Sequence, residues 1–318
     1  MTDFDVIIVG GGIAGASLGA EIAGRRRSLI IEAESDCGYH STGRSAAFYL
    51  ESYGGAQVAQ LSKASHDFLD SPPVSFSERG FLRTRGDLHI TRDDLPELPP
   101  AVEARVVERV ELERLIPGIR PEWRRALFEP GCADIDVALL HAAYLRHFKR
   151  SGGTVRCDTR LTSASPRYGA WLVQLEDGST LSAPILVDAA GAWADLVAAA
   201  CGVIPLGISP KRRTMVQLRV GRSGLKDLPL IDDAKGTFYF KGESETTVWL
   251  SPHEGAGAAC PPGTEGGRGA RDDRPRRQPT QLHAGKPVPM AGTQSVDQPV
   301  GLYGRGRVRD FRSGHCCS

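Results

Sequence analysis

A glycine cluster set between two apolar runs constrains this chain more than any other feature. Residues 9–15 read VGGGIAG; they follow Val6-Ile7-Ile8 and precede ASLGAEIAG. The spacing Gly10-x-Gly12-x-x-Gly15 predicts a strand over Asp5–Val9, a tight turn and a helix over Ile13–Ala23. Arg25-Arg26-Arg27 then turns the chain, and Ser28–Glu32 reads as a second buried strand. Strand, glycine turn, helix and strand in this order make a dinucleotide-binding βαβ unit. The three glycines answer different needs. Gly10 permits the turn, Gly12 lets backbone approach a pyrophosphate, and Gly15 lets helix pack on strand. The helix start at Ile13-Ala14-Gly15 turns amide N–H groups and a positive dipole end toward phosphates. Glu32 stands 20 residues past Gly12, the place of an acid that accepts hydrogen bonds from ribose hydroxyls and disfavours a 2′-phosphate.

The glycine motif alone suits NAD or FAD equally. Residues 38–47, GYHSTGRSAA, tip the balance. Ser41, Thr42 and Ser45 alternate there with Gly and Ala beside Arg44, so the stretch can lay backbone and hydroxyls along the second part of a long ligand. A bare NAD site has no need of it. Further on, Asp136 is placed to cap a helix whose Val137, Leu140, Tyr144 and Phe148 share one face, and Gly152-Gly153 ends it. Thr154–Cys157, Ala170–Leu175 and Thr180-Leu181 read as strands around a hairpin that turns at Glu176–Ser179. Pro184–Asp188 is another buried strand, and it runs into Ala189-Ala190-Gly191. In a doubly wound sheet such a strand end faces the ligand crevice. Thr237–Lys241 and Thr246–Leu250 read as antiparallel strands that turn at Gly242–Glu245.

Charge narrows the partners. Lys and Arg exceed Asp and Glu by 39 to 38, so no electrostatic case exists for nucleic acid or a membrane surface. No apolar run approaches the ~18 residues of a membrane span. The seven cysteines (37, 132, 157, 201, 260, 316 and 317) form no CxxC pair. They read as reduced thiols of a cytoplasmic protein, and Cys316-Cys317 beside His315 lacks metal-ligand spacing, so no metal is expected. Residues 254–318 hold 12 Gly and 7 Pro among 65, with no period of 2 or 3.6. Such a segment is expected to be disordered or foreign to the fold.

Four stretches, VGGGIAGAS (9–17), GYHSTGRSAA (38–47), GCADIDVALLHAAYLR (131–146) and ILVDAAGAWAD (185–195) with PLGISPKRRT (205–214), occur in the order found in the FAD-dependent D-amino acid oxidase and dehydrogenase superfamily. The chain resembles that superfamily, glycine and sarcosine oxidases included, and most of all its D-arginine dehydrogenase group, over about residues 1–253. The resemblance implies an α/β fold: a Rossmann-like FAD-binding domain split between 1–47 and 134–205, and an antiparallel-sheet substrate domain from 48–133 and 206–253. It implies FAD as cofactor, with contacts also from Ala33, Ala46, Leu161, Ala190, Gly191 and Trp193. It implies oxidative deamination of a D-amino acid: hydride passes from Cα to flavin N5, and the imine hydrolyses to a 2-oxo acid and ammonia. A glycine- or sarcosine-type amine oxidation, or a chain that only binds the dinucleotide, are the alternatives. Electrons would leave to a quinone or to oxygen.

Among substrate-side residues, Arg213, with Arg212 beside it, is the candidate fork for a substrate carboxylate. Tyr53 and Tyr239 are expected to bring hydroxyls near the amine or carboxylate. Asp87 falls where the D-arginine group places an acid that meets a cationic side chain; a turn residue after Gly86 is the competing reading. Phe48 and Leu50 depart from that group's histidine and small hydroxyl residue and point to a more apolar pocket. The resemblance also implies roughly 100 further residues after 253, with another substrate-binding Arg and a last helix aimed at the flavin. A shift of reading frame near 252–260 would account for the tail that stands there instead; recovery of a WAGLRS-like stretch in another frame of the DNA tests it.

Overall fold

The computed structural model describes residues 2–99, 102–252 and 316–317. β1 (Val6–Val9) is buried along its whole length between two parallel neighbours, β2 (Ser28–Ile31) and β13 (Ile185–Asp188). β9 (Thr154–Arg156) runs parallel beyond β2, giving the order β13-β1-β2-β9. Short Val, Ile and Leu runs suit such strands because both faces are covered. On one face α1 (Ile13–Ile22) and α4 (Val137–Arg150) bury Val6, Ile8 and Ile30 with Phe148. On the other, Ile7, Val9, Leu29 and Ile31 meet an antiparallel sheet of β10 (Leu161–Arg167), β11 (Ala170–Leu175) and β12 (Thr180–Ala183), together with Val197 of α5 (Ala194–Ala200). Odd and even positions of one strand thus serve two different layers. Asp136 caps α4 as expected: its carboxylate accepts the Leu139 N–H at 2.9 Å.

The hairpin over 170–183 forms as read, but its surroundings differ. Thr154–Arg156 joins the parallel sheet, and the neighbour of β11 is β10, a strand the sequence reading left out. LTSASPR is polar and carries Pro166, which speaks against a central strand. β10 sits at a sheet edge, where proline is tolerated.

A second body of sheet draws on distant segments. Its order is β15 (Val216–Arg219), β18 (Thr247–Pro252), β17 (Phe238–Ser244), β16 (Leu230–Asp233), β5 (Asp87–Thr91), β7 (Arg125–Glu129) and β6 (Arg105–Glu108). Only the β16–β5 pair in it is parallel. Leu88, Ile90, Val107, Ala126 and Ile231 pack from one face onto Leu112 of α3 (Arg109–Leu115). Gly242 is not in a turn: β17 continues through Ser244 with an irregularity after Gly242, and the chain reverses at Glu245-Thr246. A small sheet of β3 (Phe48–Tyr49), β8 (Ala133–Ile135) and β4 (Leu82–Thr84) joins the two bodies. Phe68 of α2 (Gly55–Asp70) stacks there with Phe76, Phe81 and Tyr144. β14 (Arg212–Arg213) pairs with β19 (Cys316–Cys317). The rest of the expected tail, and the expected frame boundary past 252, lie outside the described residues. Among those residues no helix is long and apolar enough to cross a membrane, and Cys37, Cys132, Cys157 and Cys201 are free thiols.

Candidate cofactor and substrate site

The glycine turn between β1 and α1 is closed by contacts no side chain could share. Gly10 adopts φ +109°, and a Cβ there would stand 2.4 Å from the Ala189 carbonyl oxygen. A Cβ on Gly15 would stand 2.0 Å from the Gly10 carbonyl oxygen. Gly12 differs: its Cβ would meet only Thr42 Oγ1, at 3.3 Å. That open side is where a phosphate can approach. The Ile13 N–H donates to Thr42 Oγ1 at 3.0 Å, and the first Gly12 carbonyl bond of the helix comes from Ala16.

The turn opens into a cleft of about 240 Å³. Gly10, Gly12, Glu32, Ala33, Ser41, Thr42, Leu161, Ala190, Gly191 and Trp193 line it, all of them expected from the sequence. Glu32 also braces the turn itself. Its Oε2 accepts the Gly11 N–H at 2.8 Å and its Oε1 the Glu34 N–H at 3.0 Å. Ile13, Ala14 and Gly15 lie in α1 outside the cleft wall. Arg44 stacks its guanidinium 4.8 Å above the Tyr39 ring, Ser45 Oγ accepts the Ala47 N–H, and the Ala46 carbonyl accepts from Lys241. These three expected contacts therefore shape the loop beside the cleft rather than its wall. His40 was not foreseen: it lines the cleft, stacks 4.4 Å from Trp193 and reaches Glu34 at 2.9 Å.

The sheet of the second body has two unlike faces. Leu88 and Ile90 point to α3; Asp87, His89 and Thr91 alternate to the other side and are all buried. Register then builds a polar row. Asp87 stands opposite Glu129, His89 opposite Asp232, and Asp232 opposite Tyr239. His89 Nδ1 lies 2.8 Å from Asp232 Oδ1; its Nε2 lies 3.5 Å from Glu129 and 3.7 Å from Asp87. Asp87 opens a strand and is not a turn residue, which removes the competing reading. Its carboxylate is fully buried, and neither oxygen has a hydrogen-bond partner. Burial, and next the Asp232 charge, raise its pKa well above the carboxylate range. Burial acts to lower the His89 pKa, but the surrounding carboxylates outweigh it and push the value up to about 10. Glu129 is held below its usual range because bonds from His89 and Ser52 outweigh its burial.

Of the expected substrate residues, the structure brings Asp87 and Tyr239 onto this one face. Tyr239 donates to Met215 Sδ at 3.5 Å and sits edge-on to Phe48. Tyr53 and Arg213 are exposed on separate loop and strand positions. His89, Glu129 and Asp232 were not singled out from the sequence. The alternation DLHIT carried a signal for His89; the other two needed the strand register.

A parallel sheet with a glycine turn that opens on a lined cleft, accompanied by a second sheet with one polar face, defines a dinucleotide-dependent oxidoreductase. The chain belongs to the DAO family of FAD dependent oxidoreductases, whose family model matches residues 5–286. FAD is the cofactor of that family, and the match extends past residue 253, where the sequence reading ended the likeness. The chain is similar to the aerobic glycerol-3-phosphate dehydrogenase of Escherichia coli strain K12, 29% identical over 216 residues that cover 59% of this chain and 41% of that one. It thus spans about two-fifths of the curated relatives it matches. Glycine oxidase of Geobacillus kaustophilus shares the fold with a TM-score of 0.67 at 19% identity, over 81% of this chain and 73% of that one. The FAD-bound L-α-glycerophosphate oxidase of Mycoplasma pneumoniae shares it with 0.69 at 16%, over 80% and 72%.

Proposed function

We propose that the chain binds FAD between segments 1–47 and 134–205 and oxidises the amine-bearing carbon of an amino acid, a D-amino acid of the D-arginine type, held by segments 48–133 and 206–253. The single observation that carries this reading is the acidic row on the polar face of the substrate sheet. Three carboxylates, Asp87, Glu129 and Asp232, surround one imidazole there, and the Asp87 oxygens accept no hydrogen bond. Three acids set against one imidazole carry more acid than base, which favours a cation and disfavours a phosphate ester. The identity to glycerol-3-phosphate dehydrogenases supports a second reading, oxidation of a phosphorylated alcohol, and the same row opposes it.

Bound FAD supplies the two-electron acceptor. The chain's own residues do the rest. Arg213 offers a bidentate fork to the substrate carboxylate. Tyr239, on the face of the acidic row, and Tyr53, exposed on the loop before α2, offer hydroxyls to the amine or the carboxylate, and Asp87 meets a cationic side chain. The free thiols suit a reducing, cytoplasmic setting. The test is the visible spectrum of the purified chain with FAD, recorded under anaerobic conditions. Bleaching on D-arginine or D-methionine supports the reading. Bleaching on glycine or sarcosine alone moves it to the small-amine class, and bleaching on glycerol 3-phosphate alone overturns it. Bound flavin that no substrate bleaches would leave a dinucleotide-binding protein without turnover.

A further inference from the structure

We infer that His141, on α4, is a positioning residue of the pyrophosphate-binding turn: it fixes the plane of the Gly11–Gly12 peptide. His141 is 130 residues from that turn in sequence, and its Nε2 donates to the Gly11 carbonyl at 2.8 Å. The imidazole is buried. On its other flank it is pressed by Gly38, where a Cβ would come within 2.8 Å of the ring carbon Cε1. The ring therefore has little room to turn away. From the opposite side Glu32 Oε2 takes the Gly11 N–H at 2.8 Å. Both polar backbone groups of Gly11 are thus held by side chains, one from the end of β2 and one from α4.

The consequence follows from peptide geometry. In a trans peptide the C=O and the next N–H lie in one rigid plane and point in opposite directions. Drawing the Gly11 carbonyl toward His141 turns the Gly12 N–H away from α4. Gly12 lines the cleft, and its open side is the one a phosphate can approach. His141 thus aims a backbone donor by holding the acceptor at the other end of the same peptide. Packing alone does not require a histidine here. Leu140, Ala143 and Phe148 already bury the apolar side of α4, and a buried imidazole is unfavourable unless it is hydrogen-bonded. The role holds whichever substrate is oxidised.

The full chain, stripped of flavin, tests it. Two amide variants differ by one methylene: His141→Gln keeps an N–H donor near the position of Nε2, and His141→Asn stops short. Affinity for FAD is read from flavin fluorescence, affinity for ADP and for adenosine by displacement of FAD, and apoprotein stability by thermal melt. In H141N, FAD and ADP are each expected to weaken about 10-fold, the scale of one lost hydrogen bond to a backbone carbonyl. Adenosine, which has no pyrophosphate, changes less than about 2-fold on the same scale, and H141Q recovers FAD affinity to within about 3-fold. The two apoproteins melt at similar temperatures. Equal losses in H141N and H141Q, an adenosine loss as large as that of ADP, or loss of a cooperative melt in both variants would make His141 a core residue and overturn the inference.

Discussion

At the residue scale, three glycines of one turn carry three separable demands. Gly15 has no volume to give, since a methyl would enter the Gly10 carbonyl at 2.0 Å. Gly15→Ala is expected to split α1 from β1 and lower the melting temperature by about 6 °C, on the scale of ~3 kcal/mol for an overpacked core. Gly12→Ala meets only a hydroxyl at 3.3 Å. It is expected to keep its melt within about 2 °C, the scale of a few tenths of a kcal/mol, while losing FAD affinity, because the methyl fills the phosphate's side of the turn. Melts and flavin titrations of the two proteins decide it; a Gly12→Ala protein that keeps full FAD affinity would refute the assignment. The tight turn at Gly10 and the tight approach at Gly15 were legible in the sequence because each depends on a few neighbouring atoms of a local unit. The contact of His141 with Gly11 was not legible. It joins residues 130 apart, and the histidine hides within a helix face read as apolar.

At the element scale, a strand's alternation was legible and its partners were not. Asp87, His89 and Thr91 could be placed on one face of β5 from spacing alone. That β16 runs parallel to β5 and sets Asp232 beside His89 depends on a crossover that brings together residues roughly 140 apart. β10 shows the converse: pairing with β11 makes a strand of a polar, proline-bearing segment. The imidazole of His89 ties three strands, which gives a pH signature. Its folded pKa, about 10, lies above the ordinary 6.5. A base with a raised folded pKa contributes stability that is fully present below the unfolded value and is lost as pH rises through the folded one. His89→Gln removes the titration. Wild type is therefore expected to melt above H89Q by a constant margin below pH 6.5, and the margin closes between pH 6.5 and 10. A margin that widens with pH in that window would show that burial, and not the carboxylates, governs His89.

At the scale of the whole molecule, the cleft and the polar sheet face belong to different bodies, and Lys241 spans them. It sits on β17, buried, with Nζ 3.2 Å from Asp134 Oδ1 of β8 and 3.3 Å from the Ala46 carbonyl. Ala46 lies in the loop that also carries Thr42, the residue bonded to the glycine turn. The ammonium rests between the Phe48 and Trp249 rings, 4.9 and 5.2 Å from their centres. Lys241→Met keeps the apolar stem and removes the charge. Asp134 is not orphaned, because Arg85 Nη2 holds it at 2.7 Å. The substitution therefore cuts the tie without leaving a buried carboxylate alone. A ligand that binds only the folded state stabilises whatever unfolds together with its site. In wild type, FAD is expected to raise a single melting transition that carries both bodies. In K241M the melt should divide, and FAD should raise only the transition of the glycine-turn body. Calorimetry with and without FAD reads both quantities. One undivided transition in K241M, shifted by FAD as in wild type, would mean that the small β3-β8-β4 sheet couples the bodies by itself and that Lys241 is a bystander.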